Sequence, residues 1–244
     1  AYVDFQRRAA LGEAEPLAVF NDVRALRRAA VDEAYVDMFR AMRGLFDGRP
    51  TLALSRPERN ARTHLLLAEI LWTAAWLPRR EPEDYRRAAE RLLSVVADGL
   101  AAPGAPWPET RLAPEALDDP AAGDDPAEQF LRAATELINE EGYIGASVEK
   151  ISARLNVTKG AFYHHNQTTD DLVAACFERT FQVMNRAIRA AQAASESGLQ
   201  ALVSLSTLLV EYQLSGRAPL LRTSALTSVP ETLQPALLAR FDRI

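Results

Sequence analysis

Residues 147–165 decide the fold of this chain, and they read Ser-Val-Glu-Lys-Ile-Ser-Ala-Arg-Leu-Asn-Val-Thr-Lys-Gly-Ala-Phe-Tyr-His-His. Ser147 can cap a short helix, because its hydroxyl accepts a hydrogen bond from an amide of the first turn. The apolar residues of that helix recur at helical spacing and share one side: Val148, Ile151 and Leu155. The stretch therefore opens with a short amphipathic helix.

A tight turn and a second short helix follow. Asn156 and Val157 form the predicted turn, and Val157 is expected to fill the angle between the two helices. Thr158 can cap a second helix of about seven residues. Helix, short turn and helix is the arrangement that places a second helix in the major groove of DNA.

The second short helix carries side chains suited to DNA. Lys159 offers a cation to a phosphate or to guanine, and Gly160 lets the backbone approach closely because it has no side chain. Tyr163 and His164 can donate to phosphate oxygens. Phe162 is expected to point inward and to anchor the helix. The chemistry of this outer face favours nucleic-acid binding.

The helices on either side have clear boundaries in the sequence. Asp125, Pro126 and Glu128 occupy the N-cap, N1 and N3 positions of a preceding helix, and Gly142 supplies the left-handed residue that stops it. That helix is expected to bury Phe130, Ala133, Ala134, Leu137 and Ile138. A long helix begins near Thr168 with Asp171 at N3, and its inner face holds Leu172, Val173, Cys176, Phe177, Phe181 and Met184.

The rest of the chain is also helical in pattern, because strand-like alternation is missing and helix-forming residues dominate. Further helices are predicted at 31–46, 56–77, 83–100, 199–214, 219–228 and 231–243. The fold class is therefore all-α. Residues 102–126 differ: six prolines lie there among glycines and aspartates, which indicates a linker.

Residues 130 to about 177 resemble the DNA-binding domain of the TetR family of regulators. The matching features are Ala134-Thr135-Glu136-Leu137-Ile138, Gly142-Tyr143, Ser147-Val148 with Ile151, and Val157 to His165. The family's fold is a three-helix DNA-binding head, a connecting fourth helix and a helical body that binds ligand and dimerises. The DNA-binding residues that the resemblance implies are Ser147, at a phosphate-contacting position, and Thr158, Lys159, Gly160, Ala161, Tyr163 and His164.

The match departs from the family after the paired histidines. The family usually has an aromatic residue, a proline, a Ser or Thr, and a lysine there, whereas residues 166–169 read Asn-Gln-Thr-Thr. One phosphate contact is missing at Thr169, and Asp170 and Asp171 add negative charge, although they suit the helix dipole. Two hypotheses follow. The chain is a DNA-binding regulator, or it is a binding or assembly module with this fold whose helix-turn-helix no longer contacts DNA.

The head stands unusually late in the chain, after residues that resemble the family's body. Predicted helices 56–77 and 83–100 look like the last two helices of such a body, which usually form the dimer interface. The expected organisation is a first body at 1–101 whose head is absent, a linker at 102–126, a head at 127–172, and the start of a second body at 173–244.

The two ends of the chain also resemble each other. Val3-Asp4-Phe5-Gln6 matches Val210-Glu211-Tyr212-Gln213, and Pro16-Leu17 matches Pro219-Leu220. Val31, Ala34, Tyr35, Val36 and Phe39 match Leu233, Ala236, Leu237, Leu238 and Phe241. Their shared order favours a tandem repeat of two family units. The alternative is one unit with an unrelated helical extension.

Composition limits the other classes of function. The net charge is −5 and 48% of the residues are hydrophobic, so any DNA contact must be local and a full core is available. No apolar run is long enough to span a membrane, and a single cysteine, Cys176, suits a reducing cytoplasm. No nucleophile–base pair or metal-ligand spacing favours an enzyme, a metal site or a cofactor. The aspartates 118, 119, 124 and 125 are interpreted as linker charge plus one N-cap.

The resemblance also implies a small-molecule effector that releases a repressor from a double-stranded operator. Apolar and aromatic side chains of the first body can line its site: Met38, Met42, Trp72 and Trp76. Core or dimer packing is the competing interpretation for these four. They favour an apolar or amphipathic effector, and the expected assembly is a homodimer or an intrachain pseudo-dimer.

Overall fold

A computed structural model of the chain describes residues 1–15, 28–45, 54–110, 112–118, 125–158, 160, 168–222, 225–226 and 229–244. Within these ranges every regular element is helical and no strand occurs, which confirms the all-α fold class. The chain divides into two compact units, Ala1–Gly99 and Leu100–Ile244.

The described helices follow the predicted order. The first unit contains α1 (Tyr2–Ala10), α2 (Ala29–Gly44), α3 (Arg56–Trp76) and α4 (Tyr85–Asp98), with 3₁₀ turns at Leu77–Arg79 and Pro82–Asp84. The second contains a 3₁₀ turn at Pro114–Leu117, then α5 (Pro126–Gly145), α6 (Val148–Arg154), α7 (Thr169–Ala193), α8 (Gly198–Leu214) and α9 (Gln234–Phe241). The helix predicted at 219–228 is wrong over residues 219–222, which have no regular structure.

In the first unit α2 and α3 pack in opposite directions. The rings of Phe39 and His64 lie 4.3 Å apart between centroids, and Arg43 donates to Asn60 at 3.2 Å. The C-terminal part of α2 therefore contacts the N-terminal part of α3, and the two helices are antiparallel. The other half of α3 contacts α1, where Thr73 Oγ1 donates to Gln6 Oε1 at 3.1 Å.

The apolar side chains of α4 are only partly covered. Within the described part of the first unit, the buried residues are Thr63, Leu67, Thr73, Ala75, Leu77 and Tyr85. On α4, Ala88, Ala89 and Leu92 are half-buried, whereas Leu93 is 66% exposed and Val96 is 48% exposed. Leu65 on α3 is exposed as well. The first unit thus leaves an apolar surface on α3 and α4 uncovered.

The second unit is better packed, around α5, α7 and α8. The residues predicted to form the inner face of α5 are all buried: Phe130, Ala133, Ala134, Leu137 and Ile138. On α7 the same holds for Leu172, Val173, Cys176, Phe177 and Phe181, while Met184 is half-buried. The spacing of apolar residues was therefore a sound guide to which side of each helix faces inward.

Part of the segment predicted as a linker belongs to the core of the second unit. Residues 112–118, here called the strap, include the 3₁₀ turn Pro114–Leu117, which lies against α7 and α8. Leu117 is fully buried, and Leu112 packs beside it. The proline-rich composition indicated loop structure correctly, but it did not reveal that one leucine of the loop is buried.

Residues 219–222 are held by side chains instead of by helical hydrogen bonds. Asn139 on α5 donates to the Leu220 carbonyl at 2.8 Å and accepts from the Arg222 amide at 3.0 Å. Thr180 on α7 accepts from the Leu221 amide at 3.0 Å. These bonds satisfy backbone groups that a helix would have paired internally, so the segment can remain without regular structure.

A nearly buried ion pair joins the same three elements. Arg179 on α7 donates from Nε to Glu128 on α5 at 2.7 Å and from Nη1 to the Pro219 carbonyl at 2.6 Å. The two side chains are only 10% and 14% exposed. Arg132 donates to the same Glu128 oxygen at 3.0 Å. One carboxylate therefore ties the start of α5 to α7 and to residues 219–222.

We expect Arg179→Ala to lower the free energy of unfolding of the second unit by about 3 kcal/mol. Removing Arg179 leaves the buried charge of Glu128 poorly compensated, which lowers the free energy of unfolding. Because Arg132 still bonds Glu128, the decrease should lie at the lower end of the range usual for buried pairs. Hydrogen exchange of the α7 amides measures the change. Arg189→Ala, an exposed position on the same helix, is the control and should alter stability by less than about 0.5 kcal/mol. Equal stability of the two variants would contradict the assignment.

Candidate nucleic-acid interface

The first helix of this region ends as the sequence predicts. Gly142 has a φ of 76° and breaks α5, after which one more turn continues to Gly145. Such a φ favours glycine, because a side chain would clash with the backbone. Asp125 caps the other end and accepts from the Ala127 amide at 3.0 Å. Both boundaries predicted for this helix are confirmed.

The second helix and the turn after it also form as predicted. Ser147 caps α6 and accepts from the Lys150 amide at 3.3 Å. Val148 and Ile151 are buried, and Asn156 takes up a left-handed φ of 55°. The Val157 amide then donates back to the Ser152 carbonyl at 2.9 Å. These bonds turn the chain sharply away from α6.

The expectation for Val157 itself is wrong. Its side chain is 40% exposed, so it does not fill the angle between the helices. The left-handed Asn156 and the backbone bond to Ser152 hold the turn instead. An apolar residue in a turn was taken for an anchor, although backbone geometry was sufficient to close the turn.

Two further DNA-binding candidates lie within the described residues. Thr158 and Gly160 are both exposed. A Cβ built at Gly160 would lie 3.7 Å from Thr158 Oγ1, the nearest atom among the described residues, which is an ordinary van der Waals distance. Neither a positive φ nor a described neighbour requires a glycine at this position. The remaining candidates fall outside the described residues: Lys159, Ala161, Tyr163 and His164.

Both aspartates of the first turn of α7 make hydrogen bonds that fix the start of this helix. Thr168 and Asp171 form a capping box: the Asp171 amide donates to Thr168 Oγ1 at 3.1 Å, and the Thr168 amide donates to Asp171 at 3.0 Å. Asp170 accepts a hydrogen bond from the hydroxyl of Tyr143, which lies just after the break in α5. The two carboxylates that follow the departure at residues 166–169 thus connect the end of α5 to the beginning of α7.

The cations of α6 are paired with carboxylates of α5. Lys150 bonds Glu141, and Arg154 bonds Glu140 through two nitrogens at 2.9 and 3.0 Å and Glu136 at 3.1 Å. Hydrogen bonding to Glu140 raises the pKa of Arg154. Residues 127–172 hold four Lys and Arg against seven Asp and Glu. Most of the positive charge on α6 therefore orients α6 on α5.

The four effector candidates are not brought together. Met38 and Met42 are half-buried on α2, which faces the half of α3 that contains Asn60 and His64. Trp72 and Trp76 are half-buried and lie 8 to 12 residues beyond His64, which is about 12–18 Å along a helix. The guanidinium carbon of Arg80 lies over the Trp76 ring, 5.9 Å from the ring centroid. The register separates the methionines from the tryptophans.

Other chemistry is sparse in this region. Cys176 is fully buried, its thiol donates to the Leu131 carbonyl at 3.5 Å, and burial raises its pKa to about 11. A thiol in that state is a poor nucleophile at neutral pH. The described residues contain no group of three His, Cys, Asp or Glu placed to hold a metal ion. No helix in the described ranges is long and apolar enough to cross a membrane.

The described part of this region, α5, α6 and the left-handed turn, has the form of the first half of a helix-turn-helix domain. Residues 130–176 match the family model described as bacterial regulatory proteins, tetR family. Over these residues the chain is similar to the tetR family, which agrees with the resemblance found in the sequence.

One relative is similar over the same region. The Transposon Tn10 TetC protein of Escherichia coli is 38% identical over 52 residues, which is 21% of this chain and 26% of that protein. The match thus spans about a quarter of the relative's length. No solved structure matches the chain.

Tyr143 gives a pH-dependent test of the bond that closes the head. Burial, followed by the hydrogen bond to Asp170, raises the pKa of Tyr143 to about 12. A raised pKa means that the folded state holds the proton more tightly than the unfolded state. Its contribution to stability is therefore complete below about pH 10 and is lost as the pH rises towards 12.

We expect ultraviolet titration to show one phenolate that forms only near pH 12 and that is missing in Tyr143→Phe. Asp170→Asn should move that midpoint towards 10, because it removes the negative charge and leaves a weaker, neutral acceptor. A midpoint that stays unchanged in Asp170→Asn would show that the hydrogen bond does not set the pKa.

Proposed function

We propose that the chain is a ligand-responsive DNA-binding regulator of transcription, a cytoplasmic repressor that a small apolar or amphipathic effector releases from its operator. The supporting observation is that the family match at 130–176 coincides with a helix capped by Ser147 and a left-handed turn at Asn156. The sequence after that turn carries Lys159, Gly160 and Tyr163 in the positions where the family faces DNA.

The DNA contact is proposed to depend on few cations. Lys150 and Arg154 are bonded to carboxylates of α5. We therefore assign the phosphate contact to Lys159, on the ground of its position in the motif. Ser147, at the start of α6, and Thr158, directly after the turn, add hydroxyl donors. Gly160 allows the backbone to come near the groove. Affinity is therefore expected to be modest and sensitive to each of these residues.

We expect Lys159→Ala and Tyr163→Ala to weaken binding to the chain's own upstream DNA while the fold stays intact. Loss of the lysine should also reduce the salt dependence of binding by about one released counterion. Gly160→Ala should leave the fold as stable or more so, because alanine favours helix by about 1 kcal/mol, yet lower the affinity. Fluorescence anisotropy at two salt concentrations measures all three.

Arg189→Ala is the matched control, since it removes an exposed cation of α7 outside the turn. Its affinity should equal that of the unaltered chain. The absence of salt-dependent binding to any upstream fragment would contradict the proposal. It would favour the second candidate function, a module with this fold that no longer contacts DNA. The excess of carboxylates over cations in residues 127–172 is the observation in its favour.

We further propose that the two ends of the chain are copies of one body. Helix α1 ends at Ala10 and α8 ends at Leu214, and each end is followed two residues later by a glycine of positive φ, 73° at Gly12 and 68° at Gly216. The next described helix begins 17 residues after the first glycine and 18 after the second. This parallel supports the tandem repeat suggested by the sequence.

The exposed apolar surface of α3 and α4 supports pairing through the first unit. We expect the chain to sediment at about twice 26.9 kDa, because Leu93 and Val96 remain exposed and large apolar surfaces favour association. Leu93→Glu should reduce the mass to that of one chain, whereas Leu214→Glu, at an exposed position of α8, should not. If the unaltered chain sediments with the mass of one chain, the result would favour an intrachain pseudo-dimer over a homodimer.

A further inference from the structure

The strap, residues 112–118, packs against α7 and α8 and is therefore more than a spacer between two units. Leu117 is fully buried in a cluster with Val183 and Ala187 of α7, with Leu208 and Tyr212 of α8, and with Ala218 and Leu220. Leu112 packs against the edge of the same cluster. Leu117 thus shares one buried cluster with residues of α7, of α8 and of the segment that follows α8.

Polar contacts fix the register of the strap. Arg217 donates to Asp118 at 2.5 Å and also bonds Glu115, so it holds carboxylates on both sides of Leu117. These groups are between 35% and 59% exposed. Exposed pairs of this kind contribute little to stability, so Leu117 supplies most of the docking energy and Arg217 sets the position.

The strap reaches the head through residues 218–222. Ala218 and Leu220 belong to the same buried cluster as Leu117, and the Leu220 carbonyl accepts from Asn139 on α5. Asn139 also accepts from the Arg222 amide, while Thr180 on α7 accepts from the Leu221 amide. A continuous set of contacts therefore runs from the strap through residues 218–222 to the first helix of the head.

We propose that the strap is a built-in regulatory element that holds the helix-turn-helix head in a fixed orientation on its body. When Leu117 is docked, residues 218–222 are held in place and α5 is held against α7 through Asn139. When it undocks, these bonds loosen and the head turns more freely, which lowers affinity for DNA. Because the strap follows the first unit in sequence, it also provides a covalent route from that unit to the head. The effect on DNA rests on the proposed function, and the mechanical coupling does not.

The test uses the full chain with Leu117→Ala and Leu117→Val, each checked by circular dichroism. In Leu117→Ala the amides of Leu221 and Arg222 should exchange with deuterium at least about tenfold faster, because a core cavity replaces the leucine. The α6 amides should be unchanged, which separates local loosening from unfolding of the unit. Leu117→Val should give a smaller increase. Leu214→Ala, which removes an 82% exposed leucine of α8, should give none.

Unchanged exchange at Leu221 and Arg222 in a folded Leu117→Ala chain would overturn the proposal. A second arm uses Glu115→Gln with Asp118→Asn, which keeps Leu117 and removes the charge from both bonds to Arg217. It should give an intermediate increase in exchange at the same two amides. Operator affinity is measured separately by anisotropy. A chain that binds no DNA contradicts the proposed function alone, whereas faster exchange with unchanged affinity overturns the control of DNA binding by the strap.

Discussion

The second unit depends on the carboxylate of Glu128. It lies at the start of α5, accepts from Arg179 on α7 and from Arg132 one turn along its own helix, and is itself only 14% exposed. Because Arg179 also bonds the Pro219 carbonyl, one buried charge pair determines where the first helix of the head, the long connecting helix and the extended segment meet. The apolar faces of α5 and α7 supply the bulk of the stability, but they could slide along each other. The ion pair specifies one register.

Local signals in the sequence were enough to predict the head, and long-range contacts account for what was missed. Asp125, Gly142, Ser147 and the capping box that begins at Thr168 each act within a few residues, so their roles could be predicted without the fold. Residues 219–222 looked helical because their own propensity favours it. Their irregular form depends on side chains more than forty residues away in sequence, which no local pattern contains.

Charged side chains of the head have structural roles within the head itself. The acidic residues near the start of α7 look unfavourable for a DNA-binding surface when the sequence is considered alone. In the structure Asp170 accepts from Tyr143 and Asp171 caps α7, so each has an internal role. The carboxylates of α5 likewise hold Lys150 and Arg154. The same side chains that assemble this compact head therefore reduce the positive potential it can present to a phosphate backbone.

The strap changes where the second unit begins. A boundary drawn at the N-cap of α5 would leave behind the one leucine that fills the space between α7, α8 and residues 218–220. A fragment starting there would have to refold around an empty site or recruit an equivalent side chain from elsewhere. If the two units were once separate chains, the join between them has since become part of a hydrophobic core. A later separation would then need compensating substitutions, so the fusion is easier to keep than to reverse.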